Sequence, residues 1–270
     1  YLASMKPRIA AARDLLLPDG CLVLHVDPKT RHYLKVACDQ IFGRDCFASE
    51  IIWRYRRWPA KTPNFQRVHD VLLRYVKDPR VAPRFQQLYE PLAPSTLATW
   101  GTKKQLAVTD ATGRRTRSST TAHAAPGAPM GDVWEIGIVA PVAKERTGYP
   151  TQKPEELLET LIKAATDHGD VEATFFVGGG TTASVAQRLG RKWLACDQSR
   201  VAVAITADRL ASAAEQLPLL DSTTLVPDFL VEHWGIYEAS RLASTPPQQF
   251  KDFVLRAFGA VPDLTQSGIH

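Results

Sequence analysis

The 270 residues are 44% hydrophobic and 23% charged, enough apolar material for one large domain or a domain plus an insertion. No run approaches the roughly 18 to 20 apolar residues of a membrane span, and four cysteines without Cys-x-x-Cys spacing argue against zinc and for buried thiols in a reducing cytoplasm. The net charge of +5 suits a polyanionic partner without identifying one.

The chain opens on Tyr1, not Met, inside what already reads as a helix, so sequence upstream is expected. Leu2, Met5, Ile9, Ala12 and Leu16 recur at helical spacing, and Pro18-Asp19-Gly20 ends that helix. Residues 21–26 form a short apolar run, the pattern of a strand buried on both faces. Asp27-Pro28 starts a second helical stretch through Tyr33, Val36, Ala37 and Ile41, closed near Gly43. Residues 47–55 and 68–76 predict two further strands.

Between those strands Arg54, Arg56, Arg57, Lys61 and Arg67 interleave with Trp53, Tyr55 and Trp58. Arginines position phosphates, and aromatic faces support an unstacked base. The plain alternative is a solvated strand end with packed tryptophans. From 77 to 131 the periodicity fades and Pro, Gly, Ser and Thr accumulate, predicting a loop-rich insertion. Within it Lys103, Lys104, Arg114, Arg115 and Arg117 are candidate phosphate contacts.

Regularity resumes after Tyr149-Pro150-Thr151-Gln152-Lys153-Pro154 with a helix carrying Leu157, Leu158, Leu161, Ile162 and Ala165. A strand over 171–176, a glycine turn, a helix over 181–189, a strand over 192–196 and a helix over 201–214 follow. This alternation predicts a three-layer, Rossmann-like α/β domain with a mostly parallel sheet. Gly178-Gly179-Gly180-Thr181 follows a strand and opens a helix, where the backbone can approach a ligand and free N–H groups face it. The next strand ends at Asp197, 17 residues past Gly180, where a carboxylate can accept both ribose hydroxyls of a nucleoside cofactor. Gly178-x-Gly180-x-x-Ala183 also satisfies the dinucleotide pattern, so the turn alone leaves a nicotinamide enzyme open.

The segment from Lys144 through Thr151-Gln152-Lys153-Pro154, with the glycine turn behind it, resembles the beta-class DNA amino-methyltransferases. Residues 132–136, 190–197, 69–75 and the opening helix with Pro18-Asp19-Gly20 are similar to that family as well. The resemblance implies a permuted methyltransferase fold: a catalytic half over 1–76, a target-recognition insertion over 77–131, a cofactor half over 132–214 and an extension over 215–270. It implies S-adenosylmethionine as cofactor, with Thr151, Lys153 and Pro154 on one side of the pocket. Thr174, Phe176, Gly178, Gly180 and Thr181 would line the other side, and Asp197 would hold the ribose. The implied reaction is methylation of adenine N6 or cytosine N4 in double-stranded DNA whose target base is flipped out. A second copy or a restriction subunit is an optional further partner, and no metal is implied.

The sequence departs from the family in two places. No Asp/Asn/Ser-Pro-Pro-aromatic tetrapeptide, the family's catalytic element, occurs in the 270 residues, so a fragment or a degenerate copy is expected. Thr174 stands where the family has an Asp for the cofactor's ammonium, which predicts weakened binding, since a charge-assisted bond is about twice as strong as a neutral one. A DNA-binding module without catalysis is the alternative reading.

Overall fold

The opening helix, α1 (Leu2–Leu15), buries Met5, Ile9 and Ala12 on one stripe. It ends because Leu16 is extended and Pro18 has no N–H to continue the ladder. The computed structural model describes residues 1–116, 119–215 and 229–232; the last four lie in a separate unit, Asp228–His270, and every element named below belongs to the unit Tyr1–Pro227.

Strand β1 (Cys21–Val26) follows, then α2 (Arg31–Phe42), a 3-10 turn at Arg44–Cys46, β2 (Phe47–Arg54) and β3 (His69–Val76). The Asp27 carboxylate accepts the Thr30 N–H at 2.9 Å and starts α2. Gly43 closes α2 at φ +96, in the left-handed region that glycine adopts without strain.

The stretch 77–131 contains β4 (Tyr89–Glu90), α3 (Pro94–Trp100), β5 (Lys103–Leu106), β6 (Ser119–Ala124) and β7 (Ala128–Pro129). They form two small antiparallel pairs, β4 with β7 and β5 with β6. Every residue of β4, α3 and β5 is exposed or half-buried, consistent with the faded hydrophobic pattern. Strand β8 (Val133–Glu135), α4 (Glu155–Ala165), β9 (Val171–Thr174), α5 (Thr181–Arg188), β10 (Lys192–Ala195) and α6 (Arg200–Glu215) complete the unit.

The main sheet has the order β1-β3-β2-β8. Successive residues of β3 point to opposite faces. Val71, Leu73 and Tyr75 meet Met5, Ile9, Leu34 and Cys38 of α1 and α2. Leu72 instead meets Ile51, Trp53, Trp134, Leu157 and Leu161, so α4 covers the second face. Val71, Leu72 and Leu73 are at most 2% exposed, each contributing roughly 1.5 to 3 kcal/mol by burial. This is the three-layer α/β architecture expected from the sequence.

Strand direction differs from the mostly parallel expectation. Strand β3 is antiparallel to β1 and β2, while β2 pairs with β8 in parallel. The loop between β2 and β3 carries no crossover helix, so the chain turns straight back into an antiparallel neighbour. Strand β1 is mostly half-buried rather than buried on both faces, and among the described residues it pairs only with β3. Strands β9 and β10 form a separate parallel pair joined through α5.

Arg84 ties the two sheets together. Its guanidinium pairs with Asp19 at 2.8 Å and bonds Asp170, the residues just before β1 and just before β9. The starts of the two strands are therefore neighbours, yet no strand among the described residues pairs with the free edge of either. No helix among the described residues is long and apolar enough to cross a membrane.

Candidate functional site

Strand β9 stops at Thr174, and the pairing to β10 continues beyond it through the Cys196 N–H on Thr174 at 2.9 Å and the Val177 N–H on Cys196 at 3.1 Å. The chain then turns at Gly178 (φ +54) and Gly180 (φ +74) into α5. Asp197 faces this turn. Its Oδ2 accepts the Gly178 N–H at 3.1 Å and its Oδ1 accepts the Ser199 N–H at 2.9 Å. No cation pairs with Asp197 among the described residues. A carboxylate has about four acceptor positions, so those two bonds leave capacity for two vicinal hydroxyls. Phe176, two residues before Gly178, is 61% exposed.

The glycines also serve packing within the protein. A Cβ on Gly178 would lie 3.2 Å from the Tyr149 ring, and one on Gly179 would lie 3.0 Å from the Thr147 hydroxyl. At Gly180 it would lie 2.8 Å from the Thr206 hydroxyl of α6. The plain reading of a glycine turn, close approach of protein to protein, is thus realised here.

The Thr-Gln-Lys-Pro segment is folded against this turn. The Thr147 N–H and hydroxyl both donate to Gln152 Oε1 at 2.9 Å, and Gln152 Nε2 donates to the Glu145 carbonyl at 2.6 Å. Thr151 sits at φ +64, a conformation rare for a non-glycine residue. The Thr181 hydroxyl donates to the Lys153 carbonyl at 3.0 Å. Arg209, only 10% exposed in its side chain, donates to the Gly179 carbonyl at 2.9 Å and pairs with Glu155 at 2.6 Å. Pro154 is buried and introduces α4. The structure therefore brings Thr151, Lys153, Pro154, Thr174, Phe176, Gly178, Gly180, Thr181 and Asp197 into one neighbourhood. Burial pushes the Lys153 amine below its ordinary value, with Asp70 opposing.

Asp70 belongs to a cluster that the sequence analysis did not single out. His25 Nε2 lies 3.1 Å from Asp70 Oδ2, and the Tyr55 hydroxyl donates to Asp70 Oδ1 at 3.3 Å. The signal was a lone histidine in the apolar run 21–26 and an aspartate opening the apolar run 69–76, 45 residues apart. Glu172, on β9, is held by burial at about 7, with Arg191 opposing. Glu172 stands two residues before Thr174 on the same strand.

The basic candidates are spread out. Arg54 is paired with Glu135, Arg67 lies 3.6 Å from Asp27, and Arg57 stands 5.2 Å over the Tyr55 ring. Arg56 and Lys61 are exposed. Trp53 and Tyr55 are only 3% and 4% exposed, which corrects their reading as open aromatic faces: both are core. Trp58 at 92% and Phe65 at 99% are the exposed rings of this segment, and Phe65 was missed because no pattern marked it. Lys103, Lys104, Arg114 and Arg115 are exposed in the insertion, and Arg117 lies outside the described residues.

A family model described as DNA methylase matches residues 1–208. The type II methyltransferase M2.DpnII of Streptococcus pneumoniae is 43% identical over 89 residues, 33% of this chain and 33% of that protein. The match therefore spans about a third of that relative's length. The type II methyltransferase M.EcaI of Enterobacter cloacae is 26% identical over 321 aligned positions, covering 93% of this chain and 70% of that protein. Among solved structures, PvuII DNA methyltransferase (cytosine-N4-specific) aligns with a TM-score of 0.54 at 16% identity, over 84% of this chain and 74% of that one. That likeness bears on the fold alone.

Proposed function

The chain belongs to the DNA methylase family, and on that premise we propose that it binds S-adenosylmethionine at the glycine turn and serves methylation of an exocyclic amino group, adenine N6 or cytosine N4, in DNA. The observation that carries the cofactor assignment is Asp197: a carboxylate just past the end of β10 that, among the described residues, is bonded to two backbone N–H groups and no cation, in a turn that also exposes the Phe176 ring. Those groups fit a ribose and an adenine face. Gly178, Gly180 and Thr181 would adjoin the ribose and methionine portions, with Thr151, Lys153 and Pro154 closing the opposite side. The fit is poorest at the ammonium, where Thr174 offers a hydroxyl and no charge, and Glu172 stands two residues deeper on the strand. When bound, the cofactor supplies the electrophilic methyl group; the protein's part is to position and to stabilise charge.

Arg56, Lys61, Lys103, Lys104, Arg114 and Arg115 supply the proposed phosphate contacts, with Arg54, Arg57 and Arg67 released from their intramolecular partners and Arg117 in reserve. Double-stranded DNA in the cytoplasm is the proposed partner. The second reading is a DNA-binding module without catalysis.

Calorimetry with S-adenosylmethionine tests the pocket. We expect weak binding, a loss of at least about tenfold in Asp197→Asn and a gain of about tenfold in Thr174→Asp, the value of exchanging a neutral for a charge-assisted bond. Unchanged affinity in Asp197→Asn would reject the ribose assignment. Absence of binding in both the parent chain and Thr174→Asp would favour the DNA-binding module.

A further inference from the structure

His25 is the one ionisable side chain in β1 besides Cys21, and it stands one residue before the strand's carboxyl end. Because β3 runs against β1 and β2, its amino end lies beside their carboxyl ends. That is the end at which open α/β sheets take ligands. There the imidazole is set against Trp53, ring centroids 5.8 Å apart, with its Nε2 on Asp70.

Asp70 is 15% exposed in its side chain and His25 is 30% exposed. Burial raises the Asp70 carboxyl, but His25, Arg67 and Tyr55 outweigh it and hold the group below its ordinary value. An ionised carboxylate only accepts, so Nε2 carries the hydrogen and the lone pair of the neutral imidazole is on Nδ1. No hydrogen bond to Nδ1 occurs among the described residues. The charged groups around the pair are Asp27 after β1, Arg67 before β3 and Lys153 before α4. Lys153 connects this end to the glycine turn, since its carbonyl accepts the Thr181 hydroxyl.

We propose that His25, oriented by Asp70, accepts the proton that an exocyclic amino group sheds on methylation; the inference rests on the methyl-transfer reading. With S-adenosylmethionine as the methyl donor, the N–C bond would form from the nitrogen lone pair as the S–CH3 bond breaks and leaves its electron pair on sulfur, so that the nitrogen is left with one proton in excess. The N–H bond breaks with its electron pair kept by nitrogen, and the proton passes to Nδ1. The Asp70 carboxylate balances the resulting imidazolium until water on its open side removes the proton. His25 is thus a catalytic residue in this scheme, and Asp70 a positioning residue that fixes the tautomer.

The test is long-range proton–nitrogen NMR of His25 in the full chain, with S-adenosylhomocysteine and then 2′-deoxyadenosine or 2′-deoxycytidine. We expect a single Nε2–H tautomer in the parent chain, mixed tautomers in Asp70→Asn, and an upfield Nδ1 shift when one nucleoside is added. A neutral imidazole protonated on Nδ1 would overturn the proposal. So would an Nδ1 signal unmoved by both nucleosides while calorimetry shows S-adenosylhomocysteine bound. Failure of S-adenosylhomocysteine to bind at all would instead strike the underlying methyl-transfer reading and take this assignment with it. The parent-chain arms do not depend on the variant folding.

Discussion

Glu172 shows what burial does to one carboxylate. Its value stands at about 7 against an ordinary 4.5, with desolvation only partly offset by Arg191. That shift corresponds to about 3 kcal/mol against the ionised form in the folded state. Between those two values the native chain holds a proton that the unfolded chain has released, so stability falls as pH rises through the window. We expect Glu172→Gln to remove most of that fall. Urea midpoints at about pH 5 and about pH 8 check it: the parent chain should lose stability at the higher pH and the variant should not. A parent midpoint level across that range would contradict the burial argument. Thr174, two residues on, is the converse case. It was legible from the sequence as a lost charge, whereas the burial of Glu172 was not.

At the level of elements, the turn between β9 and α5 is specified by backbone conformation and by α6 together. Gly43 and Gly180 both have positive φ, but a Cβ on Gly43 would meet nothing within 4 Å, while one on Gly180 would lie 2.8 Å from the Thr206 hydroxyl and 3.1 Å from its Cα. Gly43→Ala should therefore carry only the conformational cost, about 1 kcal/mol. Gly180→Ala adds overpacking against a helix backbone, for a total of about 3 kcal/mol. Denaturant unfolding of the two variants side by side measures the difference. Equal losses would mean that α6 yields freely. The sequence pointed to glycine at both positions, but only the packing of α6 distinguishes them.

For the molecule as a whole, the sheet is divided between β1-β3-β2-β8 and β10-β9, and Arg84 bridges the residues that precede β1 and β9. The guanidinium and both carboxylates keep partial contact with solvent, which screens the pairs and keeps their contribution modest. Its position matters more than its size. We expect Arg84→Ala to lower hydrogen-exchange protection in β9 and β10 while β3, covered on both faces, keeps its own. Uniform loss of protection across both sheets would show that the bridge is not local. Arg84 falls in the stretch read as loop-rich insertion, and nothing in its neighbours' periodicity marked it as the link.

Outside the stretch 77–131, where it missed the short elements β4, α3, β5, β6 and β7, the sequence by itself determined every helix and every strand but β8 to within a few residues, because apolar spacing and the Pro and Gly stops act locally. It also determined the glycine turn with Asp197 and the Thr-Gln-Lys-Pro segment, because each is a run of adjacent residues. Tertiary structure alone decided strand order and direction, the short strand β8, and the burial of Trp53 and Tyr55 while Trp58 and Phe65 stay open. It also decided the meeting of His25 with Asp70 and of Thr181 with Lys153. The reason is physical: periodicity reports which face of an element is apolar, not which distant surface covers it. A hydrogen bond between residues 45 positions apart exists only once the sheet has set their strands side by side.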